Sequence, residues 1–268
     1  FPTRRSSDLW VRFRDGFRMD RIYSQMGYVF AKHIFGIKGS YAVDPQKGAV
    51  VMTLTTQGDV PIHYTLDGSE PTAASPRYTG PVEIGKSARF RATALREGGE
   101  NASYSREFAF SKSTGRPAVL NTKPNDSYTF EGASLLVDGY HSRPVFTSGA
   151  WLGYLDEPLD VTIDMGGEQS YRSVELETLA EKGDWIFPPS SVTVWVSDNG
   201  TDFTEVASVA VPEAKAGDAD GIGRYRMQFP ETSARYLKVV AQNAAAIPAW
   251  HPGAGSKGFL FVDEVVVE

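Results

Sequence analysis

The 268-residue chain contains no cysteine. That absence excludes a disulfide framework, a thiolate metal site and a cysteine nucleophile. It leaves the compartment open. No apolar run approaches the roughly 18 residues that a membrane-spanning helix needs. Positive charge is thin: net charge is −6, with no basic cluster beyond Arg4-Arg5, so nucleic acid is not an expected partner. Histidine is scarcer still. His33, His63, His141 and His251 do not form a zinc spacing. Neither a Gly-x-Ser-x-Gly elbow nor a His-Glu-x-x-His motif is present, which removes the common serine- and zinc-hydrolase readings. A starting methionine is missing too. Phe1 to Leu9 (FPTRRSSDL) has no apolar core like a signal peptide. We expect it to be a foreign tail, with the native chain beginning further upstream.

What the chain does have is aromatic mass, with 15 Phe, 12 Tyr and 5 Trp. That is ample for two cores, and the length exceeds the usual single domain. Residues 15–35 read as a helix. Ile22, Met26 and Phe30 recur at i, i+4 and i+8, Asp15 can cap the start, and Gly36 and Gly39 stand where it should stop. From Tyr41 to about Lys112 the period changes to two. Val50-Met52-Leu54, Ile62-Tyr64-Leu66 and Phe90-Ala92-Ala94 each alternate with polar or smaller neighbours. Bounded by Asp67-Gly68, Gly80-Pro81 and Gly98-Gly99, they predict a small antiparallel sandwich.

After a short polar linker, Ser111 to Pro117, a second β-region runs from about Ala118 to Glu268. Its predicted strands include Leu159 to Ile163, Ser173 to Thr178, Val192 to Ser197, Phe203 to Val211, Arg224 to Phe229, Ala234 to Gln242 and Gly258 to Val267. Gly166-Gly167, Asn199-Gly200 and the stretch 217–223 read as the turns between them. Seven or eight short strands suggest a jelly-roll sandwich. The expected fold class is therefore all-β, two sandwiches preceded by one α-helix.

Three stretches resemble known families. RMDRIYSQMGYVFAKHIFG resembles the final barrel helix of family-20 glycoside hydrolases, the β-N-acetylhexosaminidases. IHYTLDGSEPTAASPRYTGPVEI resembles the chitobiase/β-hexosaminidase C-terminal module, an Ig-like sandwich. LLVDGYHS, FTSGAWLGYL, LDVTIDMG, VSDNGTDF, ARYLKVVAQN and FLFVDEVVVE, in that order, resemble the discoidin (coagulation factor type C) fold, which includes family-32 carbohydrate-binding modules. The resemblances imply a division into 1–40 (tail plus remnant of a catalytic-barrel helix), 41–112 (Ig-like module) and 113–268 (discoidin-like module). They imply an extracytoplasmic parent enzyme whose catalytic barrel is the missing partner in cis. The acid/base Glu and orienting Asp of that barrel lie at the ends of barrel strands, which this chain lacks. Its Asp-Glu dipeptides, Asp156-Glu157 and Asp263-Glu264, read as turn and strand carboxylates. The chain alone is therefore not expected to hydrolyse glycosides.

Sugar binding is the chemistry left to expect. Pyranose C–H faces stack on aromatic rings while hydroxyls need polar partners. Three loops combine the two: Tyr140, His141 and Arg143; Trp185 and Phe187; Trp250 and His251. The alternative for each aromatic is a ring packed down on the rim as a plug. Trp151, after FTSGA, is expected in the core. The ligands implied by the resemblance are glycans bearing N-acetylhexosamine or galactose. The discoidin resemblance also implies one structural calcium, with Asp138 (in VDG) and Glu264 (in VDEV) at the matching places. The alternative there is two ordinary carboxylates.

Overall fold

The computed structural model describes residues 36–57, 60–95 and 101–268. The helix expected over 15–35, with Ile22, Met26 and Phe30, lies outside the described residues, as do Gly98 and Gly99. Everything described is β-structure joined by turns and short 3-10 segments.

The first unit contains β1 (Lys38–Asp44), β2 (Ala49–Thr55), β3 (Ile62–Thr65), β4 (Val82–Ile84), β5 (Ala88–Ala94) and β6 (Ala102–Phe108). They form two three-stranded antiparallel sheets, β1-β2-β4 and β3-β5-β6. The alternation read in the sequence decides which face is covered: Val50, Met52, Leu54, Phe90, Ala92 and Phe108 all lie in one buried cluster. Burying such side chains contributes roughly 1.5–3 kcal/mol for each large one, which favours this register over a one-residue slip. Tyr64 stacks on Phe90 at 5.7 Å between ring centroids.

The second unit contains β7 (Ala118–Leu120), β8 (Leu152–Tyr154), β9 (Leu159–Ala180), β10 (Ser191–Ser197), β11 (Thr204–Ala210), β12 (Gly221–Gln242) and β13 (Leu260–Val267). The order is β11-β10-β12-β9-β13-β8, with β7 also paired to β9. Leu152, Val161, Val174, Val194, Leu237 and Val265 are among its core residues. Trp151 is fully buried.

Two expected breaks between strands do not occur. Leu159 to Ile163 and Ser173 to Thr178 are parts of the single strand β9, and Arg224 to Phe229 and Ala234 to Gln242 are parts of β12. Bulges explain both. Between the pairs Asp164↔Tyr236 and Gln169↔Ala234, the segment 165–168 opposes Arg235 alone, and Gly166 takes φ +80° there. Between Ser173↔Gln228 and Tyr171↔Thr232, the segment 229–231 opposes Arg172 alone. Pro230 sits in that second bulge, where its lack of an N–H costs the ladder nothing. A third bulge, in β13, sets Asp263 and Glu264 opposite Glu177. Bulges re-aim side chains, and all three of these carboxylates are buried.

The expected linker is a packed joint. Lys112 N donates to Val267 O (3.0 Å), Ser113 Oγ donates to Val265 O, and Gly115 N donates to Val137 O (2.8 Å). Ser113 and Thr114 are buried. Gly115 has φ +77°, and a Cβ there would come within 2.5 Å of the Gly48 backbone. Glycine is required on both counts.

Candidate functional site

At the end of β9 the chain turns back tightly. Glu181 and Ile186 exchange backbone hydrogen bonds (3.1 and 3.2 Å), while Phe187 N donates to Phe259 O (2.9 Å) and Phe259 N to Trp185 O (2.8 Å). Ile186 and Phe187 are thereby buried. Trp185 is forced outward with φ +64°, a conformation that bulky residues adopt only where surroundings hold them. Its indole covers Gly253, where a Cβ would come within 2.8 Å of the ring.

The loop 247–257 completes the cluster. His251 Nδ1 accepts from Gly253 N (3.0 Å), so Nε2 carries the proton and donates to Lys182 O (2.9 Å). The imidazole thus spends both nitrogens on backbone and packs edge-on against Trp185, Phe187 and Trp250, with centroids 6.1, 5.5 and 5.6 Å away. Trp250 Nε1 donates to Ala214 O (3.0 Å). The outcome divides the four residues. Trp185 (43% exposed) and Trp250 (40%) present ring surface to solvent, whereas Phe187 (1%) and His251 (9%) do not. Phe187 and His251, expected as sugar contacts, therefore act as the bed on which the two indoles are fixed. A cleft of about 370 Å³, walled by Pro188, Pro212, Ala246 and Pro248, opens beside the loop. Lys182, nearly buried, pairs with Asp220, whose carboxyl that partner holds below its ordinary range.

His141 and Arg143 lie apart from this cluster. His141 Nδ1 is 2.9 Å from Glu177 Oε2, at ion-pair distance but off the line of a well-formed hydrogen bond. Arg224 pairs with the other oxygen of Glu177. Burial works to raise the Glu177 carboxyl, but His141 and Arg224 outweigh it and hold it below its ordinary range. The Glu177 carboxylate in turn raises His141. Glu177 and Arg224 carry no sequence signal, since each reads as an ordinary polar strand position. Arg143 is exposed. Its carbonyl accepts from Trp151 Nε1 (2.9 Å), so the buried indole fixes the base of that loop.

Asp138 and Glu264 come together as a buried pair: Gly139 N donates to Glu264 Oε1 (3.2 Å) and Tyr140 N to Asp138 Oδ1 (2.7 Å). Tyr41 of β1 donates to Asp138 Oδ2 (3.1 Å). Burial pushes Asp138 up to about 7 and pushes Asp263 and Glu264 well above the usual carboxylate range. Among the described residues no three His, Asp or Glu side chains converge as a metal cage. The donor chemistry nonetheless fits calcium, which takes oxygens, several of them backbone carbonyls. Glu264 Oε2 is buried without a hydrogen-bond partner, and a cation there would relieve it.

The frame just described is all-β, with Trp185 and Trp250 brought together beside His251 in the second unit. Residues 121–257, just over half of the chain, match the family model of the F5/8 type C domain, and the chain belongs to that family. Residues 39–106 match the chitobiase/beta-hexosaminidase C-terminal domain. In both matches the chain resembles accessory modules, not a catalytic domain. No curated protein matches the chain. Among solved structures, it is similar to chitosan-binding module 1 of a chitosanase/glucanase from Paenibacillus sp. IK-5 (18% identity over 59% of this chain and 98% of that one, TM-score 0.39). It is also similar to CpGH89CBM32-5 from Clostridium perfringens in complex with GalNAc-β-1,3-galactose (16%, 57% and 94%, TM-score 0.38). A third is a fucose-binding module of Streptococcus pneumoniae (22%, 59% and 94%, TM-score 0.38).

Proposed function

We propose that the chain is a non-catalytic accessory region that binds glycans through Trp185 and Trp250. One observation carries the reading: two indoles remain about two-fifths exposed although each is anchored, one over Gly253 and one through Ala214. Rings that merely plugged the rim would be covered. Open, rigid aromatics lose little entropy on stacking with a pyranose face. Asp218 and Asp220, on the loop bonded to Lys182, supply acceptors for hydroxyls.

The finer reading follows the matched families. Residues 41–112 serve as an Ig-like brace and 113–268 as a discoidin-like jelly roll. The parent is a β-N-acetylhexosaminidase whose barrel precedes them, working outside the cytoplasm on glycans that bear N-acetylhexosamine or galactose. One calcium held by Asp138, Glu264 and neighbouring carbonyls would neutralise the buried acids. The module raises the enzyme's local substrate concentration. Its own affinity for one sugar is weak, on the order of millimolar, because a stacked ring and a few hydroxyl contacts must offset ordering costs.

A purely structural role has one observation in its favour, the packed joint at 111–117. Calorimetric titration with N-acetylglucosamine and galactose oligosaccharides separates the two. Binding that drops by about 10-fold or more in Trp250→Ala supports the glycan reading. No heat with either series sinks it.

A further inference from the structure

A protein of net charge −6 concentrates four arginines in one groove. Arg89 and Arg91 of β5, Arg106 of β6 and Arg143 of the loop 139–143 line a crevice of about 460 Å³ between the first unit and the second. Two of the four are neutralised locally: Arg89 pairs with Glu107 (3.1 Å) and Arg91 with Glu70 (2.8 Å). The other two form no ion pair among the described residues, although the charge of Arg106 also acts through space on the buried Asp138 carboxyl. Arg143 makes no ion pair and no side-chain hydrogen bond among the described residues. Nearby Asp67 is already occupied by Ser69, whose N and Oγ both donate to it.

Arg106 is the better prepared of the two. Its guanidinium lies 4.0 Å from the centroid of the Tyr140 ring and 4.8 Å from that of Tyr41, and Nε donates to Tyr104 Oη (3.0 Å). The plane is thus held by three tyrosines, while the two terminal nitrogens have no partner among the described residues. A fixed planar fork of this kind matches the two oxygens of a carboxylate or sulfate. A second crevice, about 440 Å³, shares Arg106 and Tyr140 with the first and is edged by Ser40, Ser134 and Ser148, with Glu131 and Asp138 also in its wall. Hydroxyls there suit the neutral part of a sugar.

We infer that this junction is a second binding site, for the carboxylate or sulfate group of an acidic saccharide, with Arg106 and Arg143 gripping the anion. The choice of a saccharide as carrier rests on the glycan-binding reading. The site itself is independent of the two tryptophans.

The test titrates the full chain with an oligogalacturonide, a sulfated chondroitin oligosaccharide, a neutral oligogalactoside and sodium sulfate alone. At least one acidic oligosaccharide binds about 10-fold tighter than the neutral one, and raising NaCl from about 50 to about 500 mM weakens it. Which acid binds tells carboxylate from sulfate. Arg143→Gln, an exposed change with unaltered melting, and Arg106→Lys, which keeps charge but loses the fork, each weaken acidic binding by about 5-fold or more. Equal affinity for the neutral sugar, indifference to both variants, or sulfate binding as tightly as the sulfated oligosaccharide overturns the inference. Trp250→Ala separates the two sites. Acidic binding lost with it returns the ligand to the tryptophan pair, whereas neutral binding absent in the wild type with acidic binding intact fells the tryptophan reading instead.

Discussion

Two loops of the second unit are built from the same ingredients and end differently. The loop 139–143 carries Tyr140, His141 and Arg143, and the loop 247–257 carries Trp250, His251 and Lys257. In the first, the histidine is half-buried against the carboxylate of Glu177, which raises its pKa. In the second, it is buried between two backbone groups and props up a pair of indoles. The difference lies in what faces each ring. A carboxylate favours the charged form of a histidine, while a backbone amide and a carbonyl make it a strut.

The comparison predicts unequal costs. His251→Ala should be the most damaging change, because it leaves the Gly253 N–H and Lys182 C=O unpaired and opens a cavity. A loss of about 3 kcal/mol is expected in urea unfolding, and a loss below about 0.5 would mean the strut bears nothing. Calcium should come next, acting on the other loop. At about 100 times its dissociation constant it adds about 2.7 kcal/mol, read as a rise in melting temperature that EDTA reverses and Glu264→Gln removes. The same melting temperature with EDTA and with calcium would leave Glu264 as a buried acid only.

Gly253→Ala probes the strut from the side. The new Cβ collides with the Trp185 ring, so a loss of about 1–2 kcal/mol should accompany altered tryptophan fluorescence. An unchanged spectrum would show that Trp185 is loosely held.

His141→Gln should have the smallest effect, under about 1 kcal/mol, and a pH-dependent one, because Arg224 still pairs with the buried Glu177 carboxylate and the glutamine amide can donate to it. His141 is raised, so its contribution is complete below the unfolded value near 6.5 and fades as pH climbs through the folded one. Glu177 is lowered, so its contribution is present above about 4.5 and fades as pH falls through the folded value. The deficit of the variant should therefore be widest between these limits. A deficit that is flat from pH 5 to 9 contradicts the ion pair.

Local pattern made much of the frame legible. The alternation in β2, β5 and β10 reflects one covered face, and Trp151 after FTSGA could be read as core. Gly166-Gly167 misled because glycine marks turns and bulges alike, and only the partner strand tells which. For the candidate site, only residue types in loops were legible. Loop composition pointed to Trp185 and Trp250, but the burial of Phe187 and His251 depends on β13 and on Lys182, far away in sequence. Glu177 and Arg224 were invisible, since nothing local distinguishes a strand carboxylate that meets a histidine from one that meets water.

Gly115 has a consequence for evolution by module exchange. Accessory domains are traded between enzymes at flexible seams, where a crossover disturbs neither side. Here the seam is threaded against the Gly48 turn with no room for a methyl group and is stitched to the final strand. A recombination breakpoint within 111–117 would leave both halves with ragged edges, so the two units should be inherited as a single cassette.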